Sequence, residues 1–177
     1  MYIKYSTLAI ALILAFVVYK PALAAELKSI NDLYHKNIIP GVTPAAEALP
    51  KMGAHKNERK NPDGTISYIF EERKPGFPDE LTVDAAKKNV VHLAVAVLDS
   101  TECNIVDVKK VMGEPDRAGF SLYAFYLRVY IYAQKGMVFI TDDKGGLFEK
   151  QYIERMSLND FEKKFGKNFP EKNPYKM

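Results

Sequence analysis

The chain has 177 residues, of which 47% are hydrophobic and 27% are charged. This length and balance are typical of one globular domain and exclude wholesale disorder. A net charge of +3 and a single Cys exclude a strongly basic nucleic-acid-binding protein, an intramolecular disulfide framework and a Cys-based zinc site.

Residues 1–24 have the pattern of a secretory signal peptide. Nearly all of residues 7–19 are apolar, but this stretch is shorter than the roughly 20 residues that a membrane-spanning helix needs. Ala22 and Ala24 form an A-x-A site that predicts cleavage between Ala24 and Ala25, and no Cys lies nearby to accept a lipid. The pattern favours a cleaved signal over an uncleaved anchor. It predicts a periplasmic or secreted protein whose contact with the membrane is only peripheral or through an uncleaved signal.

The first part of the mature chain contains two predicted helical segments. Residues 26–36 have apolar side chains at helical spacing and predict a short amphipathic helix or turn. A Thr-Pro pair is typical of a helix start, so a second helix is predicted over residues 45–52, and Gly53 is its stop. The polar residues 55–64 contain a Pro-Asp-Gly turn signal and predict a loop.

The middle of the chain predicts two strands with a helical turn between them. Residues 65–72 have the composition of a strand. Residues 81–88 predict a helical turn that Thr82 caps. The Val-rich segment 89–99 favours a buried strand over a helix because β-branched residues suit strands.

The second half of the chain predicts a helix, an antiparallel meander and a final helix. Asn104 is a good N-cap for the first helix, and Ser157 begins the last one. The predicted elements are a helix over 105–112, strands over 120–133, 137–141 and 147–154, a helix over 157–166, and a loose polar tail over 167–177.

A helix that ends in Met-Gly occurs twice, at Met52 and at Met112, and β structure follows each. A helix with a hairpin cannot bury its apolar face alone, so two such units are expected to pack side by side. The sequence therefore predicts one α+β domain over residues 25–166, in which short helices pack on one face of an antiparallel sheet. The tandem units are placed at about 38–99 and 104–155, and a C-terminal helix follows them.

Short motifs in both units carry a family resemblance. They are Gly41-Val42-Thr43 before the first helix, Val111 to Asp116 in the second unit, and then Tyr132, Gly136 to Phe139, Asp142 to Gly145 and Ile153. This pattern resembles the SmpA/OmlA (BamE-like) small envelope proteins and the related β-lactamase-inhibitor-like domains. The resemblance implies a small α+β envelope protein that binds other proteins, and it implies no enzymatic activity.

The candidate partner-binding residues lie on one face of the predicted strand 120–133. They are Tyr126, Arg128, Tyr130 and Tyr132. Tyr and Arg are enriched in the hot spots of protein interfaces, so this face is a candidate for partner binding. Alternatively, the C-terminal helix covers the same face through its two Phe side chains. The sequence leaves both interpretations open.

Candidate catalytic and metal sites are weak. Cys103 with His92 is the pair that a cysteine hydrolase would use as nucleophile and base, but nothing in the sequence places the two together. With His35 and His55, the three histidines have no HxH or HxxxH spacing, so no metal site is predicted. The chain contains neither a GxxxxGK[ST] nor a GxGxxG motif, and no cofactor is predicted.

The leading hypothesis from the sequence is an exported, non-catalytic binding protein. Its expected partner is another envelope or secreted protein, and no nucleic acid is expected. Two alternatives stay open: a small exported hydrolase that uses Cys103 and His92, and a periplasmic carrier with a small-ligand pocket between sheet and helices.

Overall fold

The computed structural model describes residues 33–98, 104–122, 124 and 126–175. The predicted signal peptide, its cleavage site and Cys103 lie outside the described residues. The predicted helix or turn over 26–36 is described only from residue 33, where the chain forms a 3-10 turn over His35–Asn37.

The described residues form a single antiparallel sheet of eight strands. Its order is β1-β2-β3-β4-β8-β7-β6-β5, so β4 and β8 lie side by side in the middle of the sheet. The strands are β1 (Asn57–Lys60), β2 (Thr65–Ile69), β3 (Glu80–Asp84), β4 (Val90–Ala96), β5 (Arg117–Phe120), β6 (Arg128–Tyr132), β7 (Met137–Thr141) and β8 (Leu147–Ile153).

Three short α-helices flank this sheet in the described part of the chain: α1 (Ala45–Met52), α2 (Ile105–Met112) and α3 (Leu158–Phe165). The Asn104 side chain accepts a hydrogen bond from the Val106 N–H at 3.0 Å, and Ser157 accepts one from the Asp160 N–H at 3.1 Å. These caps confirm the predicted starts of α2 and α3, because an N-cap oxygen satisfies an N–H that the helix itself leaves unpaired. Within the described ranges, no helix has the length and apolarity needed to cross a membrane.

The helices α1 and α2 pack on one side of the sheet, which we call the two-helix face. Ala48 of α1 and Val108 of α2 are fully buried there. They belong to the same hydrophobic cluster as Leu81, Leu93 and Phe139 of the sheet. The α+β class predicted from the sequence is confirmed, although most of the ordered structure is sheet.

Helix α3 packs on the opposite side of the sheet, which we call the α3 face. Phe161 is fully buried among residues that include Val129, Ile131 and Val138. The expectation that the helices share one face therefore holds for α1 and α2 and is wrong for α3. The physical reason lies in β6 and β7, whose apolar side chains point to both sides of the sheet, so both sides need a cover.

Three segments differ from the sequence predictions. The predicted loop 55–64 contains β1, a strand whose residues are all exposed, so hydrophobic alternation could not reveal it. The predicted helical turn over 81–88 begins with β3, in which Thr82 is a strand residue paired with Ser67 rather than a cap. The predicted strand 120–133 is interrupted: Phe120 ends β5, and the chain returns antiparallel as β6, which pairs Arg128 with Phe120.

The C-terminal segment, expected to be loose, lies against the outer strand β5. The Phe120 N–H donates to the Pro170 carbonyl at 2.9 Å, and the Arg117 guanidinium donates to the Phe169 carbonyl. The Tyr175 hydroxyl donates to the Leu122 carbonyl. These contacts cover an edge that would otherwise offer unpaired backbone groups to another chain.

Replacing Phe161 by Ala tests how far the fold depends on α3. The ring is fully buried, so the variant should lose about 3–5 kcal/mol of unfolding free energy, measured by chemical denaturation. Val106→Ala on α2 is the control, since that side chain is 56% exposed and should change the free energy by less than ~0.5 kcal/mol. Similar small losses for both variants would contradict a structural role for α3.

Candidate functional site

A cleft of about 500 Å³ opens on the α3 face. Helix α3 covers β6 and β7 there, and the polar side chains of β1 to β4 continue beyond the helix without an apolar cover. The cleft lies between these strands and the end of α3. Its volume is within the range of about 300–1,000 Å³ that small-molecule sites occupy.

The floor of the cleft is a row of polar side chains that crosses three strands. Ser67, Thr82 and His92 are paired in register on β2, β3 and β4, so their side chains point to the same side of the sheet. Thr65 and Gln151 extend this floor along β2 and β8. The Ser67, Thr82 and Gln151 side chains are buried, which is unusual for polar residues unless they are hydrogen-bonded.

Hydrogen bonds among the side chains fix this floor. The Asn61 amide nitrogen donates to the Thr65 hydroxyl and to the Ser67 hydroxyl, each at 2.9 Å. The Ser67 and Thr82 hydroxyl oxygens are 3.2 Å apart. The Thr65 hydroxyl in turn donates to Asp63 at 2.7 Å. Because each group has a partner in the protein, the floor is ordered before any ligand arrives.

Charged groups of both signs lie at the rim of the cleft. The Arg59 Nη2 atom lies 2.9 Å from Glu80 Oε1, and Arg59 Nε donates to the Asn61 side-chain oxygen at 3.1 Å. Asp63 and Lys164 also line the cleft. Two cationic and two anionic side chains therefore face it, and its formal charge is balanced.

The wall of the cleft on the α3 side is largely apolar. It is formed by Phe165 at the end of α3, by Phe169 just beyond it and by Leu122, and Val91 of β4 adds an apolar side chain on the sheet side. A ligand in the cleft would thus meet hydrogen-bonding groups on one side and apolar surface on the other. This combination of apolar lining and a few fixed polar groups is typical of small-molecule sites.

A chain of three polar side chains continues from the cleft into the protein. The His92 ring is hydrogen-bonded to the Gln151 side chain, and Gln151 Nε2 donates to Glu149 Oε1. Burial lowers the pKa of His92, so its imidazole is neutral at neutral pH, and burial raises the pKa of the Glu149 carboxyl. Gln151 therefore links a neutral ring at the cleft to a carboxyl group that is costly to ionise.

The face of four residues predicted from the sequence is divided in the structure. Tyr132 is 1% exposed in the core of the two-helix face, and its hydroxyl donates to the Gly113 carbonyl at the end of α2 at 3.0 Å. Burial raises the pKa of Tyr132 to about 12. Tyr132 is therefore a core residue that a partner cannot reach in this fold. The cover is α2 rather than the C-terminal helix, since Phe161 of α3 lies on the opposite face.

The other three predicted residues are more accessible. Tyr126 is 42% exposed, and Arg128 is exposed with its guanidinium 4.2 Å from the centre of the Phe120 ring. Tyr130 is half-buried beside α2, with Lys109 near its ring. Arg128 and Tyr130 line a smaller groove of about 390 Å³ near β5, separate from the cleft.

The structure does not place the predicted hydrolase pair, because Cys103 lies outside the described residues. His92 is on β4, as predicted, and faces the cleft. In the parts of the chain that the structure describes, no group of three or more His, Cys, Asp or Glu side chains is arranged to hold a metal ion.

The sequence carried a signal for the cleft that the predictions missed. Polar residues alternate along strands that otherwise contain apolar residues: Thr65 and Ser67, Glu80 and Thr82, and the single His92 in the Val-rich strand β4. Alternation with a period of two places such residues on one face of a sheet. Which strands are neighbours could not be read from this pattern.

No protein-family model, curated protein or solved structure matches the chain. The resemblance to the SmpA/OmlA and β-lactamase-inhibitor-like domains therefore stays a prediction.

Glu149→Gln tests the buried carboxyl next to the cleft. Because the folded protein holds this proton more tightly than the unfolded chain does, ionisation of Glu149 should destabilise the fold as the pH rises above the ordinary value of 4.5. The variant should equal wild type in Tm near pH 4 and exceed it at pH 8.

The exposed Glu58→Gln variant on β1 is the matched control and should show no such pH-dependent gain. A Tm difference between Glu149→Gln and wild type that is the same at pH 4 and pH 8 would contradict the assigned effect of burial.

Proposed function

We propose that the chain is an exported, non-catalytic binding protein and that the cleft on the α3 face is its ligand site. The main support is that Ser67, Thr82 and Gln151 are polar residues at buried sheet positions. An apolar side chain at such a position would stabilise the fold without needing a hydrogen-bond partner. Their side chains border the cleft and are held in place by hydrogen bonds or pairing across the sheet. Fixed polar groups in a cleft are what a specific ligand site requires.

The hydrogen-bond partners in the cleft favour binding over nucleophilic catalysis. The Ser67 hydroxyl is engaged by Asn61 and Thr82, whereas the His92 ring is engaged by Gln151. A serine nucleophile needs a base within hydrogen-bonding reach, and these two groups have separate partners. The alternative of a hydrolase that uses Cys103 with His92 stays a prediction.

The order of the elements supports two tandem units, at about 38–99 and 104–155. Helix α1 is followed by the meander β1 to β4, and α2 is followed by the meander β5 to β8. Each helix ends at a Met followed by a Gly with positive φ, 96° at Gly53 and 78° at Gly113. On this proposal the units meet where β4 pairs with β8.

A protein partner is the second candidate, and it would use a different surface. Arg128 stacks on Phe120 beside the small groove that Tyr130 also lines, at the far end of the two-helix face. Exposed Arg with aromatic neighbours is common in protein interfaces. The partner would be another envelope or secreted protein, and no nucleic acid is proposed.

A screen by thermal shift tests the proposed ligand site. Polar small molecules (sugars, amino acids, nucleosides, organic acids and dipeptides) are added to the purified protein, and at least one should raise its Tm. Thr65→Trp should abolish that rise, because a large side chain at this half-buried strand position would fill the cleft.

Ile66→Trp is the matched control, since this neighbouring side chain points to the two-helix face. It should keep the rise in Tm. Equal rises in Thr65→Trp and wild type would place the binding elsewhere, and a screen in which no compound raises the Tm of wild type would contradict the proposal.

Export predicts a shorter mature chain. The protein expressed in a bacterial host and recovered from the periplasm or the medium should begin at Ala25, as measured by intact mass and N-terminal sequencing. Ala24→Lys should block processing, because signal cleavage requires a small residue at this position. Recovery of the wild-type protein from the cytoplasm with residues 1–24 still attached would contradict export.

A further inference from the structure

The balance of charge in the cleft limits the ligands that it can take. Arg59 and Glu80 neutralise each other at the rim, and the remaining charged side chains, Asp63 and Lys164, are of opposite sign. A ligand with a net charge would lose its hydration and would meet as much like charge as opposite charge in the cleft. The cleft is therefore suited to a ligand with no net charge.

The floor groups favour a ligand that both donates and accepts hydrogen bonds. With the internal bonds in place, the Thr65 oxygen can still accept a hydrogen bond, one hydroxyl of the Ser67–Thr82 pair keeps its hydrogen to donate, and the Asn168 amide at the α3 end of the cleft can act in both roles. A ligand rich in hydroxyl groups matches such a surface because every hydroxyl also donates and accepts. An apolar ligand would displace water from the hydrogen-bonding positions that the internal bonds leave open, and it would put nothing in its place.

The opposite wall requires an apolar surface on the same ligand. Phe165 and Leu122 line that wall, and the polar floor belongs to the same cleft. A pyranose ring has both properties, since its hydroxyls point outward around the ring and its C–H groups form a less polar face that packs on an aromatic side chain. The volume of about 500 Å³ is enough for a mono- or disaccharide.

We propose that the ligand of the cleft is a neutral sugar, a pyranose or a short uncharged saccharide, held by the hydroxyl and amide floor and packed against Phe165. This inference rests on the proposed function, because it names the ligand class of the same site. The inference adds that the cleft binds uncharged, hydroxyl-rich rings more tightly than their charged derivatives.

Isothermal titration of the mature protein with defined sugars tests this inference. The neutral probes are glucose, galactose, mannose, N-acetylglucosamine and maltose, and the charged probes are glucose 6-phosphate and glucosamine. At least one neutral probe should bind with one-to-one stoichiometry. The charged probes should bind at least tenfold more weakly than that sugar, because the lining offers a charged group as much like charge as opposite charge.

Two cleft variants and two matched controls connect binding to the site. Asn61→Ala and Phe165→Ala should each weaken the binding of that sugar at least tenfold. Asn57→Ala on exposed β1 and Phe77→Ala beside Phe148 should leave it unchanged, since neither residue lines the cleft. Thermal melts of all four variants verify that they are folded.

The outcomes separate the two proposals. Binding of a nucleoside, an amino acid or a charged probe that Thr65→Trp abolishes, without binding of any neutral sugar, would overturn the sugar class and keep the cleft as a ligand site. Sugar binding that is unchanged in Asn61→Ala, Phe165→Ala and Thr65→Trp would overturn the assignment to this cleft. No binding of any probe, sugar or other, would overturn both proposals.

Discussion

The pairing of β4 with β8 is the interaction on which the rest of the structure depends. It joins the strands β1 to β4 and the strands β5 to β8 into one sheet, through five paired positions from His92 with Ile153 to Ala96 with Glu149. These two strands come from segments about fifty residues apart in the chain, so the contact is non-local. The same pairing brings His92 beside Gln151, whose amide in turn donates to Glu149, and it thereby creates the polar chain on the α3 face.

The cleft follows from an unequal covering of the two faces of this sheet. The two-helix face has α1 and α2, one beside each half, and its side chains form one continuous hydrophobic cluster. The α3 face has a single eight-residue helix, whose buried Phe161 lies over the apolar strands β6 and β7. The strands β2 to β4 carry Ser67, Thr82 and His92 on that face, where hydrogen bonds rather than apolar contacts hold the surface together. Apolar packing over β2 to β4 would bury these polar side chains away from water, so it would require their replacement by apolar residues.

Much of the local structure could be predicted because its causes are close together in the sequence. The caps Asn104 and Ser157 act within three residues, and α2 and α3 begin where they predict. The Val-rich β4 is a strand because β-branched side chains suit that backbone. The edge strand β1 was missed for the opposite reason: its residues are all exposed, and only the backbone of β2 makes it a strand. The Thr82 prediction was wrong because a residue that can cap a helix is equally good in a strand that has neighbours on both sides.

The sequence by itself determined the α+β class, most of the helices and strands, and the balance of charge, since these depend on composition and on spacings of a few residues. Only the tertiary structure decided which side of each strand is covered. Arg128, Tyr130 and Tyr132 lie on the same face of β6, yet α2 buries Tyr132 and leaves Arg128 exposed. Nothing in their own segments distinguishes Thr65, Ser67 and Gln151 from other strand residues. The sheet and α3 together place them around one cleft. The burial of a side chain depends on segments far away in the chain. A pattern within one segment contains no information about which other segment packs against it.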